Sequence, residues 1–187
     1  MNQAIATLLL ALSVACIDAT IAAPAKTAAS AAASSPQQFV QGFYDWYAFK
    51  NKENGEGDIK GEDVVLKERK SWLDGALYKA LMEDEAASAK NPGEIVGLDF
   101  DPFVAANGLI YAKYETGPAT KHGANFRIPV YGVEKGKRVN HVVVVAEVTM
   151  QNGHYVFTNF IYEPSKIKEN ENLLSVLAAL KKDRHEK

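Results

Sequence analysis

The stretch GEIVGLDFDPFVAAN, residues 93–107, divides the chain into two halves. Before it, apolar residues recur at helical spacing; after it, the period is two. Inside it, Asp99 and Asp101 alternate with Leu98, Phe100 and Phe103. Two carboxylates so placed suggest a metal or acid–base site, or a turn that needs two side-chain acceptors. A Ca²⁺ loop wraps the ion with several oxygen ligands. Asp99, Asp101 and Asn107 offer three, without EF-hand spacing and without a closing Glu. Asp101 precedes Pro102, which drives its backbone to an extended conformation, and its carboxylate suits an Asx turn. The stretch therefore reads as a locked turn, anchored in the core by Leu98, Phe100 and Phe103, that joins a helical half to a sheet.

Upstream, SPQQFVQGFYDWYAF opens a helix. Ser35 is the expected N-cap, Pro36 suits the first helical position, and Gln38 completes a capping box. Phe39, Phe43, Trp46 and Tyr47 share one face. Residues 64–90 read as helical in one or two pieces, capped by Ser71, with Trp72, Leu73, Ala76, Leu77, Ala80 and Leu81 as the buried stripe. Downstream, IYAKYE, ANFRIPVYGVE, RVNHVVVVAEVTM and HYVFTNFIYE read as four strands. EKGK and the Asn152-Gly153 pair are tight hairpin turns, so the strands form an antiparallel meander. Pro129 marks an edge strand or a bulge. HVVVVAEV, apolar on both faces, is expected at the centre. Residues 172–183 form a closing amphipathic helix with basic residues in its last turn. The expected fold is α+β: N-terminal helices packed on a bent four-stranded antiparallel meander, with a closing C-terminal helix.

The 187 residues, 47% of them apolar, suit one domain with a sizeable core. A formal net charge of −2 gives no footprint for nucleic acid or an anionic membrane surface. The local cluster KERK, Lys67 to Lys70, reads as a solvated face. The uncharged apolar run from Ile5 to Ile17, followed by small residues, fits a secretory signal peptide over residues 1–22, although its n-region lacks Lys and Arg. Cleavage after Ala22 places Thr20 and Ala22 at the small-residue positions. The Ala/Ser-rich residues 23–35 read as a flexible tether, and the single domain spans 36–183. The only cysteine, Cys16, is the candidate for lipidation. Lipoprotein boxes carry Leu three residues before the cysteine; here Ser13 stands there and Leu12 is one place early. Without Cys16 the mature chain has no thiol for disulfides or metal. A periplasmic protein is expected, with lipid anchoring through Cys16 as the alternative.

FVQGFYDWY, GLDFDPF, the meander, and YVFTNFIYE followed by LLSVLAAL together resemble the exported bacterial family called domain of unknown function 3828. The resemblance covers roughly residues 36–180. Relatives often carry Trp where this chain has Tyr155. The resemblance implies a cone fold like nuclear transport factor 2 (cystatin-like), with helices curled against a bent antiparallel sheet. It further implies an envelope protein, periplasmic or lipid-anchored, that associates with other envelope components. It brings no shared catalytic mechanism.

The candidate ligand-binding residues are Tyr47, Asp99, Asp101, His141, Asn159 and Tyr162. Aromatics at these spacings suit a core, and Tyr47 and Tyr162 are the hydroxyls a pocket would use. His141 shares a strand face with Val139, Val143, Val145 and Glu147. Glu147 lies about 20 Å away along an extended strand, so a carboxylate partner for His141 has to come from elsewhere, with Asp99 and Asp101 as candidates. Asn159 points into a cone mouth or bonds the LDFDPF loop and holds the sheet edge closed. No zinc spacing, GxSxG, P-loop or dinucleotide fingerprint occurs, so no catalytic residue, metal or cofactor is expected. Three functions remain open: a non-enzymatic envelope module recognising a protein partner, a small-molecule-binding cone without turnover, and an isomerase or hydrolase using a buried carboxylate with Tyr or His.

Overall fold

The computed structural model describes residues 35–53, 61–91, 96–105, 110–162 and 171–185. The expected signal peptide, the tether up to residue 34, Cys16 and Asn107 lie outside the described residues. Ser35 and Gln38 form the expected capping box: the Gln38 N–H donates to Ser35 Oγ at 3.1 Å, and the Ser35 N–H donates to Gln38 Oε1 at 2.8 Å. They open α1, Pro36–Glu53. Its fully buried residues are Val40, Phe43, Tyr44 and Tyr47, one face at i, i+3, i+4 and i+7. Phe39 and Trp46 are only half-buried at the rim of that face.

The second helical region breaks into three pieces: α2 (Gly61–Glu68), a 3₁₀ turn (Lys70–Trp72) and α3 (Gly75–Lys90). Ser71 falls inside the 3₁₀ turn and caps nothing. Asp74 is the cap, because it has the extended backbone that the position requires, and its carboxylate accepts the Leu77 N–H at 2.7 Å. Leu77 and Leu81 are buried on α3 while Ala76 is exposed, so the apolar stripe is narrower than its spacing suggests.

Among the described residues the sheet is antiparallel with six strands, where four were expected: β1 (Tyr114–Thr116), β2 (Thr120–His122), β3 (Asn125–Glu134), β4 (Lys137–Arg138), β5 (Val144–Gln151) and β6 (His154–Ile161). Its order is β1–β3–β5–β6, with β2 and β4 also paired to β3. The β5 strand is central as expected. Both expected hairpin turns have the positive-φ pairs of a type I′ turn, Lys135-Gly136 and Asn152-Gly153.

Pro129 does not demote β3 to an edge, since β3 is paired on both sides. The Pro129 carbonyl accepts the Gly117 N–H at 2.8 Å. The proline nitrogen therefore faces the same side, at the gap between β1 and β2, where no donor is needed.

The expected start of the third strand at Arg138 also moves. Val133 pairs with Arg138 and Val130 with Val144, so six residues follow a path that three span on β3. The surplus leaves the ladder, and His141 sits exposed in that loop instead of on a strand face.

Core residues alternate along the sheet: Ile128 and Val130 on β3; Val144, Ala146 and Val148 on β5. On β6 the alternation breaks. A register shift between Glu147 and Val148 leaves Thr158 unpaired between Phe157 and Asn159. That bulge turns both Phe157 and Phe160, three residues apart, into the core, with ring centroids 5.1 Å apart. At the β1 edge, α1 supplies the missing partner strand with a side chain. Gln41 accepts the Thr116 N–H at 2.9 Å and donates to the Tyr114 carbonyl at 3.0 Å. Finally, α4 (Leu173–His185) closes over α3 and β6, with Leu173 and Leu177 buried.

Gly97 starts the LDFDPF turn, and a Cβ there would press on Ser88 Oγ and lie 2.7 Å from Asp84 Oδ2 of α3. Gly97→Ala is expected to destabilise by about 1–3 kcal/mol through overpacking. Ser88→Ala in the same chain should restore part of that loss in denaturant unfolding, because it removes the nearest obstruction.

Candidate functional site

Three of the six candidate residues converge, and they do so on the DPF turn. Asp101 Oδ1 accepts the Phe103 N–H at 3.0 Å, which is the expected Asx turn. Asp101 Oδ2 accepts the Tyr47 hydroxyl of α1. The Tyr162 hydroxyl, just beyond β6, donates to the Pro102 carbonyl at 3.0 Å. A fourth group was missed: Tyr44 of α1 donates to the Phe103 carbonyl at 2.6 Å. Tyrosines from α1 and from the end of β6 therefore hold three successive residues of the turn. Tyr44 sits three residues before Tyr47, on the same helix face, so the spacing was a usable signal. Phe103 fills the space beneath, with ring contacts to Phe43, Tyr47 and Phe160 at 5.7, 5.9 and 5.1 Å.

The entrance to the turn is held as firmly. Asp84 is a buried carboxylate on α3 that accepts the Leu98 N–H at 2.9 Å and pairs with Arg184 of α4. Arg184 also donates to the Val96 carbonyl at 2.9 Å. One ion pair thus ties α3, α4 and residues 96–98 together. Sequence spacing carried no hint of a partnership across 100 residues.

The other three candidates lie elsewhere. Asp99 is exposed. His141 is exposed in the loop before β5, so it is not set against the buried end of Asp101. Among the described residues, the side-chain hydrogen bonds of Asn159 go to the start of α4 and to its own neighbour rather than to the LDFDPF loop. Its Oδ1 accepts the Phe160 and Leu174 N–H groups at 3.0 and 3.2 Å, and its amide donates to Asn172 at 2.9 Å. Asn172 in turn accepts the Ser175 N–H at 3.1 Å, so the two asparagines fasten the start of α4 to β6.

Glu147, rejected above as a partner for His141, has its own constellation on β5. It accepts from Arg127 Nε and Asn125 Nδ2, both at 2.9 Å, and His122 Nδ1 stands 3.9 Å away. Thr158, the bulge residue, reaches its Oε1 at 3.4 Å. The group links β2, β3, β5 and β6 through one carboxylate. Among the described residues no cluster of three or more His, Cys, Asp or Glu could hold a metal ion. No helix of the described residues is long and apolar enough to cross a membrane. Arg69, in the KERK cluster expected to be a solvated face, instead lies over the rings of Trp46 and Trp72.

Burial governs the protonation of the turn. It pushes the Asp101 carboxyl above the usual carboxylate range, and the hydrogen bonds from Tyr47, Phe103 and Val104 only partly oppose it. Burial first, and then the nearby Asp101 charge, raises the phenols of Tyr47 and Tyr162; Tyr44 is raised by burial, Tyr114 and Asp101. Such a cluster resembles an acid–base site in its protonation. Its geometry differs, because every hydroxyl already has an acceptor within the chain.

Asp101→Ala leaves the Tyr47 hydroxyl and the Phe103 N–H without acceptors. At about 1–3 kcal/mol for each of these two groups, a loss of roughly 2–6 kcal/mol is expected in chemical denaturation, with Tyr47→Phe milder. The pH dependence has two limbs. The folded chain holds the Asp101 proton more tightly than the unfolded chain does. The contribution of Asp101 is therefore full below the unfolded carboxyl value and falls as pH rises through the raised folded value. The buried phenols behave alike on the alkaline side, and their contribution declines above the unfolded tyrosine value, near 10. In a titration followed at 295 nm, ionisation of Tyr44, Tyr47 and Tyr162 should coincide with loss of near-ultraviolet circular dichroism.

No family model, no curated protein and no solved structure matches the chain.

Proposed function

We propose that this protein is an exported envelope module that recognises a protein partner without catalysing a reaction. In this reading residues 1–22 direct export, the domain is a filled version of the nuclear transport factor 2 cone, and the mature chain is periplasmic unless Cys16 carries lipid. One observation carries the proposal. The groups best suited to acid–base chemistry, Asp101 with Tyr44, Tyr47 and Tyr162, are spent on holding the chain's own turn. A catalytic acid or base has to reach substrate, and these groups face backbone and one another.

Two further features favour it. The space between helices and sheet is occupied by fully buried rings, among them Phe43, Tyr44, Tyr47, Phe103, Tyr114, Phe157 and Phe160, where a ligand-holding cone would be open. Both ends of the main strand order are also covered. Gln41 occupies the edge of β1, and the outer edge of β6 is bridged by Leu73 and Asn172. A partner would therefore dock on side chains rather than add a strand.

Native mass spectrometry of the protein, gently extracted from the envelope of its own cells, tests the proposal. The expected result is a co-purifying protein in fixed stoichiometry. A stoichiometric small molecule or metal ion in its place would overturn it. The denatured mass of the same sample should begin at residue 23; a diacylglyceryl mass increment at Cys16 would establish the anchored form.

A further inference from the structure

Arg69 is a donor group that the fold leaves largely unused among the described residues. Its backbone is fixed between α2 and the 3₁₀ turn: its N–H donates to the Val65 carbonyl, and its carbonyl accepts the Trp72 N–H, both at 2.8 Å. Its guanidinium carbon lies 4.3 Å from the centre of the Trp46 ring and 5.2 Å from that of Trp72. Those rings are themselves set by Phe43, at 5.7 and 6.1 Å, and Trp72 also by Phe39 at 5.1 Å. The guanidinium is therefore held in place by two ring faces and one backbone acceptor.

A guanidinium has five N–H donors. Among the described residues one is used, Nη1 to the Glu68 carbonyl at 3.1 Å, while Nε is buried with no hydrogen-bond partner. The residue as a whole is only half-buried. With Nε closed off, an incoming group meets the Nη end, whose two nitrogens match the two oxygens of a carboxylate.

Local charge has the same sense. Lys67 and Lys70 flank Arg69 and are exposed, and the one intervening acid, Glu68, is paired with Lys50 at 3.3 Å. Phe49, about one helical turn beyond Trp46 on α1, is 57% exposed.

We propose that Arg69, stacked on Trp46 and Trp72, is the docking point for a carboxylate on an acidic segment of a protein partner. This rests on the reading of the protein as a partner-binding module and supplies the chemistry of the contact. A half-buried, ring-clamped arginine favours a planar carboxylate over a diffuse charged surface.

Trp46 and Trp72 are the only two tryptophans of the chain, so intrinsic emission reports on this place alone. Titration of the full chain with a hexaglutamate peptide at low salt should change that emission saturably. Arg69→Ala should weaken the binding about tenfold or more, the worth of one charge-assisted hydrogen bond. Arg69→Lys keeps the charge and loses the planar fork, and should weaken it nearly as much while circular dichroism stays that of the wild type. Unchanged emission, or full binding by Arg69→Lys, would overturn the proposal. So would a response to phosphatidylglycerol vesicles without one to the peptide. A partner found by mass spectrometry that binds Arg69→Lys undiminished would sink this inference and leave the module reading standing.

Discussion

The rest of the fold depends on how three consecutive residues, Asp101, Pro102 and Phe103, are held. The segment containing them is the covalent link between the helices and the sheet. Tyr44 and Tyr47 reach it from α1, and Tyr162 reaches it from beyond the last strand. The first helix and the end of the sheet thus meet at one turn. A buried polar network of this kind stabilises only when all its members are paired, since an orphaned group in a low dielectric is costly. Here the Asp101 carboxylate serves the Tyr47 hydroxyl and the amides of Phe103 and Val104, and the two neighbouring carbonyls each receive a phenol. Asp84 and Arg184 do the same for the entrance to the turn, with the help of the C-terminal helix. The chain is stapled at its middle by its two ends.

In the proposed reading, that arrangement is why a cluster resembling an active site is taken as structural. A buried carboxyl with a raised pKa among tyrosines is a common mark of a reactive centre. The distinction lies in what the polar atoms face. In this turn they face the chain's own backbone. At Arg69 the situation is reversed: aromatic faces fix the cation and its donors are largely unspent. In the proposed reading, Arg69 is the group prepared to meet another molecule.

How much of this was legible in the sequence follows from range. Local signals were readable. The Ser35–Gln38 box, the Asn152-Gly153 turn, the Asx turn of Asp101 and the central position of β5 all depend on residues a few places apart. Interactions across distance were not. Nothing in the chain's periodicity tells that Asp84 meets Arg184, that Asn159 would serve α4 rather than the LDFDPF loop, or that Glu147 would gather Arg127 and Asn125. The two strand errors have one cause. VNHVVVV is uniformly apolar around its polar pair, so period alone could not show that residues before Val144 leave the ladder. FTNF hides a bulge that only the facing register of β5 reveals. Alternation is a reliable guide to a strand's faces until an extra residue enters, and a bulge has little signature of its own.

The central claim is that the DPF turn is a structural lock as firm as the sheet it joins. Amide hydrogen exchange of the Phe103 N–H, compared with the amides of β5, tests it most directly. The account predicts that Phe103 exchanges as slowly as Val144 to Val148, through global opening alone. Exchange of Phe103 by local opening, while the β5 amides remain protected, would contradict it and would return Asp101 and its tyrosines to the status of an accessible site.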